Sequence, residues 1–245
     1  MKQNKIINDF MPVTKEELSE RGIEELDFVF VSGDAYVDHP SFAVALLGRL
    51  LEKNGYTVGV IPQPNWKDVE SFKVLGKPRL AFLVSAGSMD SMVANYTANN
   101  KPRSEDAYSH GGEKRHRPDR AIITYVSKIR EAYKGVNVII GGIEASLRRM
   151  AHYDYWSNKV KHSILLDSKA DLLLYGMGEY SILEVAKKLK EEGFTVIYRD
   201  LNPSVESAKN IEAAGADIII ATGYDEGGGL PSHSIGTMTI VPLIA

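Results

Sequence analysis

The chain has 245 residues, 44% hydrophobic and 25% charged, with a formal net charge of -3. This is soluble globular composition, long enough for one large domain or two small ones, and it gives no electrostatic reason to expect a nucleic acid or an anionic membrane as partner. The lack of any cysteine excludes disulfides, thiol catalysis and a thiolate-bound zinc or iron–sulfur cluster held by this chain.

The N-terminal MKQNKIINDFMP has no apolar signal-peptide core, and no apolar run approaches the roughly 20 residues of a membrane span. A cytoplasmic protein is expected. The six histidines show no HExxH and no close ladder with carboxylates, so no metal site is expected.

LDFVFVS (26–32) reads as a first strand, followed by Gly33-Asp34. Asp38-His39-Pro40 then opens SFAVALLGRLLEKNGY, with Asp38 suited to cap a helix and Pro40 to its first turn. Apolar residues at 42, 46, 47, 50 and 51 share a helical face, and Asn54-Gly55 is a stop signal. YTVGVIPQP (56–64) and RLAFLVSAG (79–87) are strands two and three. DRAIITYVSKIREAYKG (119–135) is a helix, VNVIIGG the fourth strand, and ADLLLYGMGE (170–179) a fifth that opens the helix SILEVAKKLKEEG. TVIYRD, the helix NPSVESAKNIEAAG and ADIIIATG follow as a sixth strand, a helix and a seventh strand. This alternation of apolar strands and helices predicts an α/β fold with a mainly parallel sheet, Rossmann-like and flanked by helices. Ligands of such sheets sit beyond the carboxyl ends of the strands.

Residues 97–120, TANNKPRSEDAYSHGGEKRHRPDR, break the rhythm: they are polar, basic and too long for a routine connection. They read either as a solvated, mobile loop or as a loop that orders on a partner domain or an anionic ligand.

Candidate ligand-binding residues gather at the strand ends. Asp34, Asp38 and His39 could form an acid/base pair, although Asp38 as a helix cap and His39 as an exposed side chain serve equally well. Ser85 and Ser88 lie in SAGSMDSMV, which lacks the elbow of a serine nucleophile; capping by Ser88 or Asp90 suits it better. GGIEASLRRMAHYDYW (141–156) concentrates Glu144, Arg148, Arg149, His152 and Asp154. On a helix, Glu144, Arg148 and His152 would share a face, either as ion pairs feeding an aromatic cluster of Tyr153, Tyr155 and Trp156, or as arginines holding a carboxylate or phosphate. Glu179 lies in GMGEYS, a partial dinucleotide fingerprint. Gly223, Gly227 and Gly228, in ATGYDEGGGLPSHS, suit a phosphate cradle or an unliganded turn. No catalytic residue stands out.

Taken together, GDAYVDHPSFAVALLGRLLE, VSAGSMDSMVANYTANNKPRSEDAYS, RPDRAIITY, GGIEASLRRMAHYDYW and DSKADLLLYGMGE resemble the N-terminal region of the YgiQ-type radical SAM proteins, from about Asn8 to about Lys190. The resemblance implies a Rossmann-like domain, similar to cobalamin-binding domains, placed before a radical SAM barrel. That barrel carries CxxxCxxC, whose three thiolates hold a four-iron four-sulfur cluster that cleaves S-adenosylmethionine. With no cysteine here, the cluster is expected on the missing barrel, which becomes the expected partner; a small-molecule ligand is the other. The DxHxxG pattern that supplies cobalamin with an axial histidine is absent, since Asp38 and His39 are adjacent.

The tail from Gly193 to Ala245 resembles the later part of the flavin-dependent nitronate monooxygenase and enoyl-reductase barrels. That resemblance implies that Gly223, Gly227 and Gly228 contact an FMN phosphate. The histidine that commonly follows is missing, and only about two of eight βα units are represented. The expected organisation is thus 1–192 as the radical SAM N-terminal domain and 193–245 as a partial flavin-barrel segment, with both pieces truncated. The leading functional expectation is a ligand-binding or docking domain without its catalytic core. The alternatives are a fragment of an FMN-dependent oxidoreductase and a non-catalytic interaction module using the 97–120 loop.

Overall fold

The computed structural model describes residues 10–191 together with the backbone of the two short strands at 197–200 and 218–221. The chain divides into two compact units, Met1–Ala186 and Lys187–Ala245. The NPSVESAKNIEAAG helix and Gly223, Gly227 and Gly228 lie outside the described residues.

In chain order the elements are α1 (Lys15–Glu20), β1 (Phe28–Ser32), α2 (Ala43–Lys53), β2 (Val58–Pro62), β3 (Ala81–Ser85), α3 (Ser91–Asn95), α4 (Ala121–Ala132), β4 (Val138–Gly141), α5 (Gly142–Leu147), β5 (His152–Asp154), β6 (Lys159–Lys161), α6 (Ile164–Ser168), β7 (Leu172–Leu173), α7 (Glu179–Glu191), β8 (Ile197–Asp200) and β9 (Ile218–Ala221). Five strands form one parallel sheet in the order β2-β1-β3-β4-β7. The fold is therefore α/β, as the alternation predicts. In the second unit β8 and β9 pair in parallel.

The apolar strand runs are buried on both faces, as parallel strands under helices must be. Val29, Val31, Phe82, Val84, Val138 and Ile140 belong to one core with Ile122, Tyr125 and Ile129 of α4 and with Phe72. The alternate residues, Phe30, Leu83 and Ile139 among them, face the other way, toward α2 and α7. Helix α2 begins three residues after Pro40, with Phe42 as N-cap and no side-chain cap. Asp38 is not that cap: its carboxylate pairs with Arg49, in the middle of the same helix. Asn54 ends α2, and Gly55 takes a left-handed backbone, as the stop signal requires.

The order of strands reverses between β1 and β3, which opens a crevice at their carboxyl ends. The loops around it are tied together by one side chain from the 97–120 segment. Arg117 is fully buried, and its guanidinium donates to Asp34 at 2.9 Å, to both oxygens of Asp106 at 2.9 and 3.2 Å, and to the Ala86 carbonyl at 2.7 Å. Asp34 accepts another bond from the Ser88 amide at 2.6 Å. Gly87 is required beside it: its φ is +100°, and an added Cβ would fall 2.0 Å from Asp34 Oδ1. The segment also accepts from the Ala35 amide at the Tyr108 carbonyl and from Gln63 Nε2 at the Ser109 hydroxyl. Most of the segment is exposed, as a solvated loop would be, but Asp106, Ser109 and Arg117 are buried. The segment orders on its own chain, because its buried cation meets carboxylates contributed by the β1 loop and by itself.

Removing one partner from a buried ion pair leaves the others uncompensated. Arg117→Met therefore lowers unfolding free energy by about 3–5 kcal/mol, read from urea denaturation, and exposes 97–120 to limited proteolysis. A variant as stable and as protease-resistant as the parent would remove the clamp from this account.

Candidate functional site

Two local structures occupy the strand carboxyl ends: a network of paired charges and a largely apolar cavity. Glu144 stands at the centre of the first. It is buried, and its carboxylate accepts from the amides of Ser91 at 2.9 Å and Ile122 at 3.2 Å. These amides open α3 and α4, so one side chain caps two helices, and Arg120, the N-cap residue of α4, makes no side-chain cap of its own. The Ser91 hydroxyl bonds to Glu144 and accepts from the Ala121 amide at 3.0 Å. Burial pushes the Glu144 carboxyl above the usual carboxylate range, against the hydrogen bonds from Ser91 and Ile122. Tyr125, also buried, is pushed up by its desolvation.

Arg148 does not pair with Glu144 along a helix. Helix α5 ends at Leu147, and the Arg148 guanidinium bonds instead to Asp90, which caps α3 as its residue type predicts. His152 is on neither that helix nor its face. It begins β5, which pairs antiparallel with β6 as a small hairpin, and its Nδ1 bonds to the Met150 carbonyl at 3.1 Å. Asp154 pairs with Arg120 and accepts from the Ser157 hydroxyl and amide. Burial alone would raise the Asp154 carboxyl; the Ser157 bonds and Arg120 outweigh it and hold it below the ordinary range. Arg149 lies over the Tyr175 ring, 5.3 Å from its centroid. The aromatic cluster does form, around Trp156 with Tyr155 and Tyr96, while Tyr153 stays exposed and donates to Asn158.

On the β1 side, Asp34 is held by Arg117, and Asp38 by Arg49. His39 Nδ1 accepts from the Ser41 amide at 3.2 Å, a local turn, and Asp38 and His39 do not bond to each other. Ser88 contributes its amide to Asp34. Arg117 and Asp106 are the members of this network that residue-level reasoning leaves out. Nothing in the sequence separates Arg117 from the other basic residues of its loop, and Asp34 is 83 positions away.

Ser85 and Glu179 are placed differently. Both line a cavity of about 310 Å³ between the sheet, α2 and α7. Its floor is Phe30, Leu83 and Ile139, its walls include Leu47 and Ile182, and Gly141-Gly142 and Gly176 to Gly178 form its rim. Gly142 has φ +80°, and a Cβ there would lie 2.6 Å from Ser85 Oγ, so the chain needs glycine to turn from β4 into α5 at this wall. Ser85 Oγ accepts from the Gly87 amide at 3.1 Å. Among the described residues no group of three His, Cys, Asp or Glu is placed to hold a metal, and no helix is long and apolar enough to cross a membrane.

A family profile described as Radical SAM N-terminal matches residues 10–227. A UPF0313 protein of Clostridium botulinum (strain 657 / Type Ba4) is 56% identical over 205 residues, covering 80% of this chain and 32% of the relative. A UPF0313 protein of Clostridium perfringens (strain 13 / Type A) is 59% identical over 184 residues, covering 75% and 28%. The chain thus spans about a third of the length of these curated relatives. No solved structure matches it. The family match runs on past the predicted join at Lys190–Gly193, and neither it nor these relatives support a flavin-barrel tail.

Two measurements check the charge network. Glu144→Ala lowers stability by about 2–4 kcal/mol, since the buried Ser91 and Ile122 amides lose their acceptor; Glu144→Gln, whose oxygen serves one of the two amides, loses less in the same urea titration. Asp154 has a folded-state value below its unfolded value of about 3.9. Its contribution is present above that value and is lost as pH falls through the folded one. Acid titration of stability is therefore steeper below about pH 4 in the parent than in Asp154→Asn, and equal slopes would refute the assignment.

Proposed function

The chain belongs to the radical SAM N-terminal family, and from that premise we propose that it serves as the non-catalytic, Rossmann-like module of a UPF0313 radical SAM protein. In this reading it binds a ligand at its strand ends and docks on the part that performs the radical chemistry. One observation carries the reading: the family match covers most of the chain, yet the chain contains no cysteine. The family implies an iron–sulfur cluster and S-adenosylmethionine. The residues present do not fit the cluster, because no thiolate exists and no described group of His or carboxylates takes its place.

The strand-end chemistry supports the same division of labour. A general acid or base needs a titrating group free to meet a substrate. Here Asp34, Asp38, Glu144 and Asp154 are each engaged by cations or amides of the same chain. Such a network positions loops rather than moving protons. Docking is supported by the distribution of exposed apolar side chains. Nine of the fifteen large ones among the described residues lie within 147–180, including Met150, Val160, Met177 and Tyr180. Exposed apolar surface concentrated in this way favours a partner. The partner in this reading is the cluster-bearing region, since the matched relatives are about three times as long as the aligned part.

The test is anaerobic reconstitution of this chain with iron and sulfide, followed by assay for deoxyadenosine from S-adenosylmethionine. The expected result is no cluster absorbance and no deoxyadenosine above the protein-free control. Cleavage by the chain alone would sink the proposal.

A further inference from the structure

We propose that Arg149, laid over Tyr175, anchors the docking face, and that it receives a carboxylate side chain from the part of the full-length UPF0313 polypeptide outside this chain. The inference rests on the docking reading above and supplies the chemistry of the contact.

Arg149 differs from its neighbours in having no anion. Arg49, Arg79, Arg117, Arg120, Arg130 and Arg148 each meet a carboxylate of this chain. Arg149 is exposed, and among the described residues it meets none. It is nevertheless held in place. Its Nη1 donates to the Ser146 carbonyl at 2.7 Å, and the guanidinium lies over the Tyr175 ring, 5.3 Å from the centroid. Ser146 fixes the other side of the arrangement as well. Its hydroxyl donates to the Gly142 carbonyl at 2.8 Å and accepts from the amide of Gly176, next to Tyr175, at 3.1 Å. The Ser163 hydroxyl donates to the Arg149 carbonyl at 2.7 Å and secures the backbone. The rest of the guanidinium fork has no acceptor among the described residues. A side chain immobilised in advance loses less freedom on binding.

The surroundings decide what can cover it. Leu147 and Met150, which flank Arg149 in the chain, and Met177, just beyond Tyr175, are all exposed. Arginine, tyrosine and methionine are side chains that protein interfaces favour. A partner that dries this apolar face also strips water from Arg149, and a buried guanidinium without an anion is costly. A carboxylate meets both demands, since its two oxygens match the fork and its charge cancels the cation. A phosphate polymer fits less well. It needs a run of cations, and this stretch offers apolar side chains beside the arginine. The source of the carboxylate is the remaining polypeptide, because this chain covers 32% and 28% of its matched relatives and most of their length lies outside it.

The test uses the full-length UPF0313 protein of Clostridium botulinum (strain 657 / Type Ba4), carrying the substitution that corresponds to Arg149→Lys. A carbodiimide couples a lysine amine to a carboxylate in contact with it. The expected product, identified by peptide mass spectrometry, is an intramolecular cross-link from that lysine to an aspartate or glutamate outside the aligned segment. In hydrogen exchange, the unsubstituted relative protects the segment aligned with 147–180 by about tenfold or more over this chain. The change corresponding to Arg149→Glu brings it back to within about threefold, while Arg149→Glu in this chain shifts exchange by less than about twofold. The proposal is overturned if the aligned residue is not arginine, if the lysine forms no cross-link or reaches only the aligned segment or a second copy, or if charge reversal leaves the protection intact. Docking survives each of these results as long as the segment is protected. Equal acceleration in this chain alone would make Arg149 a local structural residue and overturn the anchor too. A relative that shows no protection refutes the docking reading itself.

Discussion

The strand-end region depends on one buried cation. Arg117 brings together the turn after β1, the turn after β3 and the long connection from α3 to α4, by ion pairs to Asp34 and Asp106 and a bond to the Ala86 carbonyl. Two carboxylates against one guanidinium leave excess negative charge in a dry place. Backbone amides of Ser88 and Tyr108 absorb it by donating to Asp34 and Asp106. A fully satisfied network of this kind holds one geometry, because each group left without its partner would carry a desolvation cost. The loops that frame the crevice are therefore set by electrostatics rather than by turn propensity.

A second carboxylate does the same for the helices. Glu144 ties the starts of α3 and α4 to the end of β4, so both helices on the connection from β3 to β4 share one acceptor. Arg148 joins the arrangement through Asp90, and Arg120 through Asp154. The consequence for function is one of subtraction. Charges that look catalytic by composition hold the platform, while the cavity between the sheet, α2 and α7 is lined mainly by apolar side chains, with Glu179, Ser41 and Ser85 among the polar ones.

GGIEASLRRMAHYDYW shows how far the sequence could be read. Its position after a buried strand, its glycine turn and its aromatic cluster were legible, because burial patterns and turn residues act locally. Its pairing was not. Helical spacing places Glu144 and Arg148 together, but α5 lasts only six residues and the two side chains go to different partners. The same limit applies to Asp38. It has the right residue type for a cap, yet α2 begins at Ala43 and the carboxylate turns to Arg49. Of the two cap candidates Ser88 and Asp90, the structure selects Asp90, whose cap is made within three residues.

The sequence by itself determined the α/β class, the strands of the main sheet and the approximate limits of α2, α4 and α7, since apolar periodicity and stop signals are properties of short segments. Only the tertiary structure decided the strand order, the crevice it opens, and the fate of the 97–120 segment. Arg117 and Asp34 are 83 residues apart, and Glu144 reaches amides 53 and 22 residues away. A basic residue in a polar loop looks the same whether it is solvated or buried. What distinguishes the two is whether the fold delivers carboxylates and carbonyls to its donors, and that is settled by which strand ends the sheet order places side by side.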